Sequence, residues 1–230
     1  MTRPLLFDID GTLVDTLGAG RAALERAMIE VYDETGPIDE LDFHGRTDPS
    51  IVRELLGLAG KTGPWISARF PILWRTYLAF LEEELSRREG QVTLFEGVLD
   101  LLEALDGDER YLVGLVTGNL EGGAIRKLRA GGIAERFNYG AYGSDSERRA
   151  DLPPIAVDRA SELIGSRLRT KDAIVIGDTP EDISCARASG ARVIAVATGR
   201  HGPAELRHFR PDAVVESLAE TDDILQILAE

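Results

Sequence analysis

Short, almost continuously apolar runs alternate along the chain with longer stretches of helical period. Four runs carry the pattern: PLLFDI near residue 6, YLVGLVTGN near 115, DAIVIGDT near 175 and VIAVATG near 195. Each is bounded by turn or polar residues, as strands are. Near-continuous apolar character is what a strand covered on both faces requires. Alternation with helical segments therefore predicts an α/β fold with a parallel, doubly wound sheet.

Residues 15–92 interrupt the alternation. RAALERAMIEVY places Leu24, Met28 and Val31 on one helical face, and a later stretch places Phe70, Trp74, Tyr77, Leu78, Leu81 and Leu85 on another. No convincing strand lies between them, so the segment reads as an inserted helical unit whose stripes form its own core. In GRTDPSIVRELL, Asp48 before Pro49 reads as an N-cap and first-turn pair. The sheet resumes its order near FEGVLDLLEAL, where Leu99, Leu102 and Leu105 form a helix face. The expected division is a core of residues 1–14 and 93–230 with a helical insertion of residues 15–92.

Charge narrows the partners. The 26 basic and 40 acidic residues leave a formal charge of −14, which disfavours nucleic acid, and no convincing basic patch offsets it. No run approaches the roughly 18 apolar residues of a membrane span, and the N-terminus lacks the apolar core of a signal peptide. The expectation is a cytoplasmic protein acting on a small molecule, with neither membrane nor nucleic acid as partner. Cys185 is the single cysteine, so packing alone must hold the fold. Only three lysines occur, Lys61, Lys127 and Lys171, which limits where a lysine could act in a site. His44, His201 and His208 share no metal-ligand spacing.

The candidate chemistry lies where the strands end. Open parallel sheets deliver ligands to the carboxyl ends of their strands, and Asp8, Thr117 and Asp178 all fall there. Asp10 follows Asp8 by two positions, and Asp182 opens the helix after Asp178. A buried carboxylate is costly without compensation. Asp8 and Asp178 form an oxygen-donor pair suited to a hard cation such as Mg²⁺, completed by a substrate phosphate. Thr117 offers a hydroxyl, and Gly118 lets backbone amides approach a phosphate closely. Phosphoryl transfer also calls for a positive side chain.

DIDGTLVDT, VTGN and GDTPEDISCA, in that order, resemble the first, second and fourth motifs of the haloacid dehalogenase superfamily. FEGVLDLLEAL is similar to the segment by which members with a helical cap re-enter the core. The resemblance covers nearly the whole chain and implies a Rossmann-like core with an inserted all-helical C1 cap. It further implies that Asp8 is a nucleophile forming an aspartyl phosphate, and that Asp10 is the general acid and base. Mg²⁺ would be held by Asp8, the main-chain carbonyl of Asp10, and Asp178, with Asp182 as a ligand or a supporting group. Thr117 would bind a phosphoryl oxygen, and Gly11, Gly118 and Asn119 would complete the phosphate cradle.

The third motif departs from the family's pattern. The usual lysine followed by proline is absent; Lys127 sits in a helix resembling the family's ordinary AxxKL, and Lys171 lies too near the fourth strand. SDSERRADLPPIAVDRA offers Arg149 as the phosphate-binding cation, with Arg148 as the alternative. In the cap, HGRTD offers Arg46 and Thr47 as candidate substrate contacts, although Arg46 reads equally well as a surface ion pair. The reading is a Mg²⁺-dependent phosphatase for a small phosphorylated metabolite, similar to the phosphoglycolate phosphatase branch. A sugar phosphomutase and a non-catalytic phosphate-binding protein are the rivals. Asp10 argues against dehalogenation and, with Lys61 the only lysine in the cap, against phosphonate cleavage.

Overall fold

The structure, a computed structural model, describes residues 2–229. A six-stranded sheet is built from β1 (Arg3–Phe7), β4 (Tyr111–Thr117), β5 (Gly140–Tyr142), β6 (Ile174–Gly177), β7 (Arg192–Val196) and β8 (Ala213–Val215). Its order is β5-β4-β1-β6-β7-β8, and every pair is parallel. The alternation of side chains along β1 explains why the run reads as continuously apolar. Leu5 and Phe7 enter one core layer, with α5 (Val98–Leu105), α6 (Glu121–Ala130) and α10 (Thr221–Ala229). Leu6 enters the opposite layer, with α7 (Leu152–Ile164), α8 (Pro180–Ser189) and α9 (Pro203–His208). Both faces are covered, so each buried Leu or Phe contributes on the order of 1.5–3 kcal/mol. The fold is the expected α/β doubly wound sheet.

The two edge strands β5 and β8, of three residues each, extend the pattern beyond the four apolar runs. Strand order reverses around β1, with β4 on one side and β6 on the other, opening a crevice at their carboxyl ends.

A helical segment leaves and rejoins the core through β2 (Val14–Asp15) and β3 (Thr93–Leu94), which pair antiparallel so that exit and return lie side by side. Between them lie α1 (Ala19–Tyr32), α2 (Asp48–Leu58), α3 (Gly63–Ser67) and α4 (Phe70–Arg87). They enclose a separate core that includes Leu24, Met28, Leu55, Leu73, Tyr77 and Leu81.

Two local expectations are corrected. Thr47, not Asp48, caps α2: its hydroxyl accepts the Ser50 N–H at 3.3 Å while Asp48 is the first helical residue. Leu99 is 47% exposed, and α5 buries Val98, Leu101, Leu102 and Leu105 instead. The short helix begins at Val98, which puts Leu99 on the solvent side. Among the described residues, no helix is long and apolar enough to cross a membrane.

Candidate active site

Asp8 continues β1, its N–H donating to the Ile176 carbonyl at 2.9 Å, so β6 fixes the backbone from which its carboxylate projects. Asp178 follows β6 and is fully buried. Its Oδ1 accepts the Thr12 hydroxyl at 3.0 Å, while Oδ2 is buried without a hydrogen-bond partner among the described residues. Glycine makes this packing possible: a Cβ at Gly199 would lie 1.8 Å, and one at Gly11 2.4 Å, from Asp178 Oδ2. Gly11 also has φ +85°, and its carbonyl accepts the Thr198 hydroxyl at 2.7 Å.

Asp182 completes a buried trio in which one oxygen of each carboxylate lies within 4.8 Å of the others. Its Oδ2 accepts the Thr179 N–H at 3.0 Å and hydroxyl at 2.6 Å, forming the capping box of α8. Its Oδ1 accepts from Arg149 Nη2 at 2.5 Å. Both oxygens are therefore engaged, and Asp182 stands behind Asp8 as the anchor of Arg149. Arg149 Nη2 also reaches Asp8 Oδ1 at 3.1 Å, while its Nε is buried without a partner. Arg148, 79% exposed in its side chain, reaches among the described residues only the carboxylate of Asp151, at 4.0 Å. The structure thus separates the two arginines, and Arg149 is the one at the carboxylates.

Three buried carboxylates beside one guanidinium are short of positive charge. Burial pushes Asp8 up to about 6, partly opposed by Arg149 and reinforced by Asp182 and Asp10. Burial also pushes Asp178 up to about 8, reinforced by Asp182 and Asp8. An all-oxygen donor set with an unpartnered Asp178 oxygen fits a hard divalent cation. Asp8 and Asp178 have the oxygens to hold Mg²⁺.

Asp10 lends no side-chain oxygen to that trio. Its carboxylate turns to Lys127, whose Nζ donates to Oδ1 at 2.8 Å and Oδ2 at 2.6 Å, and to Asn119 Nδ2, which donates to Oδ2 at 2.7 Å. Asn119 Oδ1 accepts from Lys127 at 2.6 Å, and Asn119 Nδ2 also donates to Thr117 Oγ1 at 2.8 Å. Asn119 is accordingly a bridge between Thr117 and Asp10, with its own polar atoms occupied. Thr117 Oγ1 acts as acceptor there, which leaves its proton for a ligand oxygen in the cavity it lines. Lys127 is the group that sequence reasoning passed over. Its signal was positional: Gly123, Ala124, Lys127 and Leu128 make the buried stripe of α6, and a lysine in such a stripe needs a partner.

The helical segment sits directly over these groups. The Asp48 N–H donates to the Gly118 carbonyl and the Leu120 N–H to Asp48 Oδ2, each at 2.8 Å. A Cβ at Gly118 would lie 1.9 Å from the Arg46 carbonyl, so glycine there admits the cap backbone. Burial raises Asp48 to about 6, opposed by Lys127 and the Leu120 N–H. The Thr47 hydroxyl donates to the Glu147 carbonyl at 2.8 Å, which directs it to the core and leaves it outside the cavity lining. Arg46 lines the cavity but pairs with Glu54. At the rim, Asp42 bridges Arg200 Nη1 at 2.7 Å and His44 Nδ1 at 2.6 Å. The cavity, open to solvent on one side, measures about 790 Å³ and is lined by Asp8, Asp10, Thr117, Lys127 and Arg149 from the core.

Comparison with known proteins identifies the chain's family. A family model described as haloacid dehalogenase-like hydrolase matches residues 5–196. The chain is 26% identical to the pyrophosphatase PpaX of Listeria innocua, covering 94% of this chain and 93% of that one. It is 25% identical to a phosphoglycolate phosphatase of Chromobacterium violaceum, covering 97% and 96%. Among solved structures, a predicted phosphoglycolate phosphatase from Haemophilus somnus superposes with a TM-score of 0.71 at 21% identity over 98% of each chain, a likeness of fold. The chain belongs to the haloacid dehalogenase-like hydrolase family, as an enzyme of its phosphatase branch.

Proposed function

We propose that this phosphatase hydrolyses a small phosphate monoester, with Mg²⁺ held by Asp8, Asp178 and the main-chain carbonyl of Asp10, and with Asp8 carrying the phosphoryl group between two steps. The observation that supports it best is the meeting of Asp8, Asp10, Arg149 and Thr117 at one cavity, with a carboxylate oxygen of the buried Asp178 within 4.8 Å of one of Asp8. Bound Mg²⁺ would supply charge neutralisation at the phosphoryl oxygens.

In the first step, an Asp8 carboxylate oxygen bonds to phosphorus as the bond from phosphorus to the ester oxygen breaks. Asp10 in its acid form gives its proton to that departing oxygen, releasing an alcohol. In the second step, water gives a proton to Asp10 as its oxygen bonds to phosphorus, and the bond from phosphorus to Asp8 breaks. Inorganic phosphate leaves and both aspartates return to their starting state. Arg149 and the Thr117 hydroxyl, both of which line the cavity, stabilise the phosphoryl oxygens. Residues 15–92 act in this reading as the cap that excludes water from the first step, and the cytoplasm is the place of action.

The alcohol half is small and polar, as in the phosphoglycolate phosphatases, because the cap face of the cavity offers Arg21, His44 and Arg46 beside its acids. Phosphate release from 2-phosphoglycolate, sugar phosphates, nucleotides and pyrophosphate, with Mg²⁺ or EDTA, tests the reading. Metal-dependent release that Asp8→Asn abolishes is expected. Silence across the panel overturns it, and isomerised sugar phosphate without release would favour a phosphomutase.

A further inference from the structure

We propose that Lys127 is the positioning residue of Asp10, holding the acid that protonates the leaving group; the inference rests on the role given to Asp10 above. All three ammonium protons of Lys127 have acceptors within 2.8 Å: both Asp10 oxygens and Asn119 Oδ1. Its side chain is 5% exposed against 41% for Asp10. The buried, constrained partner therefore sets the orientation of the open one. Without Lys127, the Asp10 carboxyl would keep Asn119 Nδ2 alone among these contacts, a single bond about which it can swing.

The surroundings make the arrangement one of position and not of general packing. Asn119 ties the same pair to Thr117, so the acid is referenced to the phosphate cradle through a continuous hydrogen-bonded chain of four side chains. On the cap side, a Cβ at Gly20 of α1 would lie 3.1 Å from Lys127 Nζ. Glycine there leaves room for the ammonium beneath the cap. Misplacing a reacting group by about an ångström can cost on the order of a hundredfold in rate, so a support with this many contacts has a kinetic role to fill.

The test compares leaving groups. p-Nitrophenolate departs without a proton, whereas the alkoxides of 2-phosphoglycolate and glycerol 1-phosphate need one, and kcat/KM reads only the step in which they leave. Lys127→Met is expected to lower kcat/KM for the alkyl phosphates at least about tenfold more than for p-nitrophenyl phosphate, and to add nothing further in an Asp10→Asn background. Asp10→Asn serves as the reference. If Asp10→Asn is selective and Lys127→Met lowers all substrates equally, or none, the positioning role is overturned while the phosphatase reading stands. If Asp10→Asn is itself unselective, the acid assignment fails and the positioning role falls with it. Should Lys127→Met not fold, Lys127→Gln, which keeps one donor group, takes its place and should show a smaller selectivity of the same sign.

Discussion

The core and the cap face the same cavity with different kinds of polar group. On the core side, Thr117 is fully buried and Arg149 and Asp8 are 9% and 6% exposed in their side chains, backed by the buried Asp178 and Asp182. Their bonds run to other buried groups at the ends of strands whose neighbours fix them. On the cap side, Arg46 with Glu54 and Asp42 with His44 are paired at the rim, with side chains about a third to a half exposed. Buried pairs lose heavily when one partner is removed, whereas exposed pairs contribute about 0–1 kcal/mol. The core is thus built to keep one geometry and the cap rim to be rearranged.

The largest effects should come from the core. Asp8→Asn is expected to reduce phosphate release by more than about a thousandfold, measured under single-turnover conditions. Arg149→Met should be as damaging to activity and also to folding. It leaves Asp8 and Asp182 uncompensated in a buried site, at a cost of about 3–5 kcal/mol by chemical denaturation. Arg149→Lys separates charge from shape: one ammonium can meet both carboxylates as the single Nη2 does, but it lacks the planar guanidinium that suits a phosphoryl group, so it should recover stability more fully than rate. An Arg149→Met protein as stable as the original would break the contrast between core and rim.

Acid groups at the core also give stability a pH dependence with a definite sign. Asp8 and Asp178 are raised to about 6 and about 8 against an unfolded value of 3.8, so the folded chain holds more protons between those limits. Their contribution is complete below pH 3.8 and is lost as pH rises through 6 and then 8. With EDTA present, the denaturation midpoint should therefore fall from pH 5 to pH 8. Mg²⁺ should restore it at the upper end, because the cation binds the deprotonated carboxylates. Glu84, Asp108 and Asp172 are lowered by arginine partners and act in the opposite sense, but only below pH 5. Asp178→Asn should flatten the slope.

What the sequence made legible divides along the same line. The central strands were readable because two covered faces demand unbroken apolar runs, and their ends located Asp8, Thr117 and Asp178. β5 and β8 were not, because three residues at a sheet edge carry too little pattern. The choice between Arg148 and Arg149 depends on reach across the crevice to Asp8 and Asp182, a long-range relation that adjacent, identical residues cannot encode. Lys127 was visible as an anomaly on a buried helix face, yet its partner Asp10 is 117 positions away. Asp48 looked like a helix cap because its local neighbours suit one; its bond to Leu120, 72 positions on, exists only in three dimensions.

Asp48 belongs with the core in its burial although the cap carries it, so it offers an intermediate case. Asp48→Ala removes the acceptor of a buried N–H and should cost about 1–3 kcal/mol in stability. Asp48→Asn should cost much less, since an amide oxygen can accept from Leu120 and burial already favours a neutral side chain there. Equal losses for the two variants would mean that the charge beside Lys127 matters more than the bond to Leu120.

The smallest effect should come from the rim. Arg200 and Asp42 join core to cap through side chains that are 64% and 46% exposed, so Arg200→Ala should change stability by less than about 1 kcal/mol, with the difference fading at high salt. Its kinetic signature should nevertheless be specific. The pair spans the cavity mouth, and an anionic substrate entering there can compete with Asp42 for the guanidinium. Loss of Arg200 should then raise KM for 2-phosphoglycolate several-fold while leaving p-nitrophenyl phosphate nearly unchanged, since the latter carries no second anionic group. An equal change for both substrates would assign Arg200 to holding the cap shut, and the rim would then share the fixed geometry of the core.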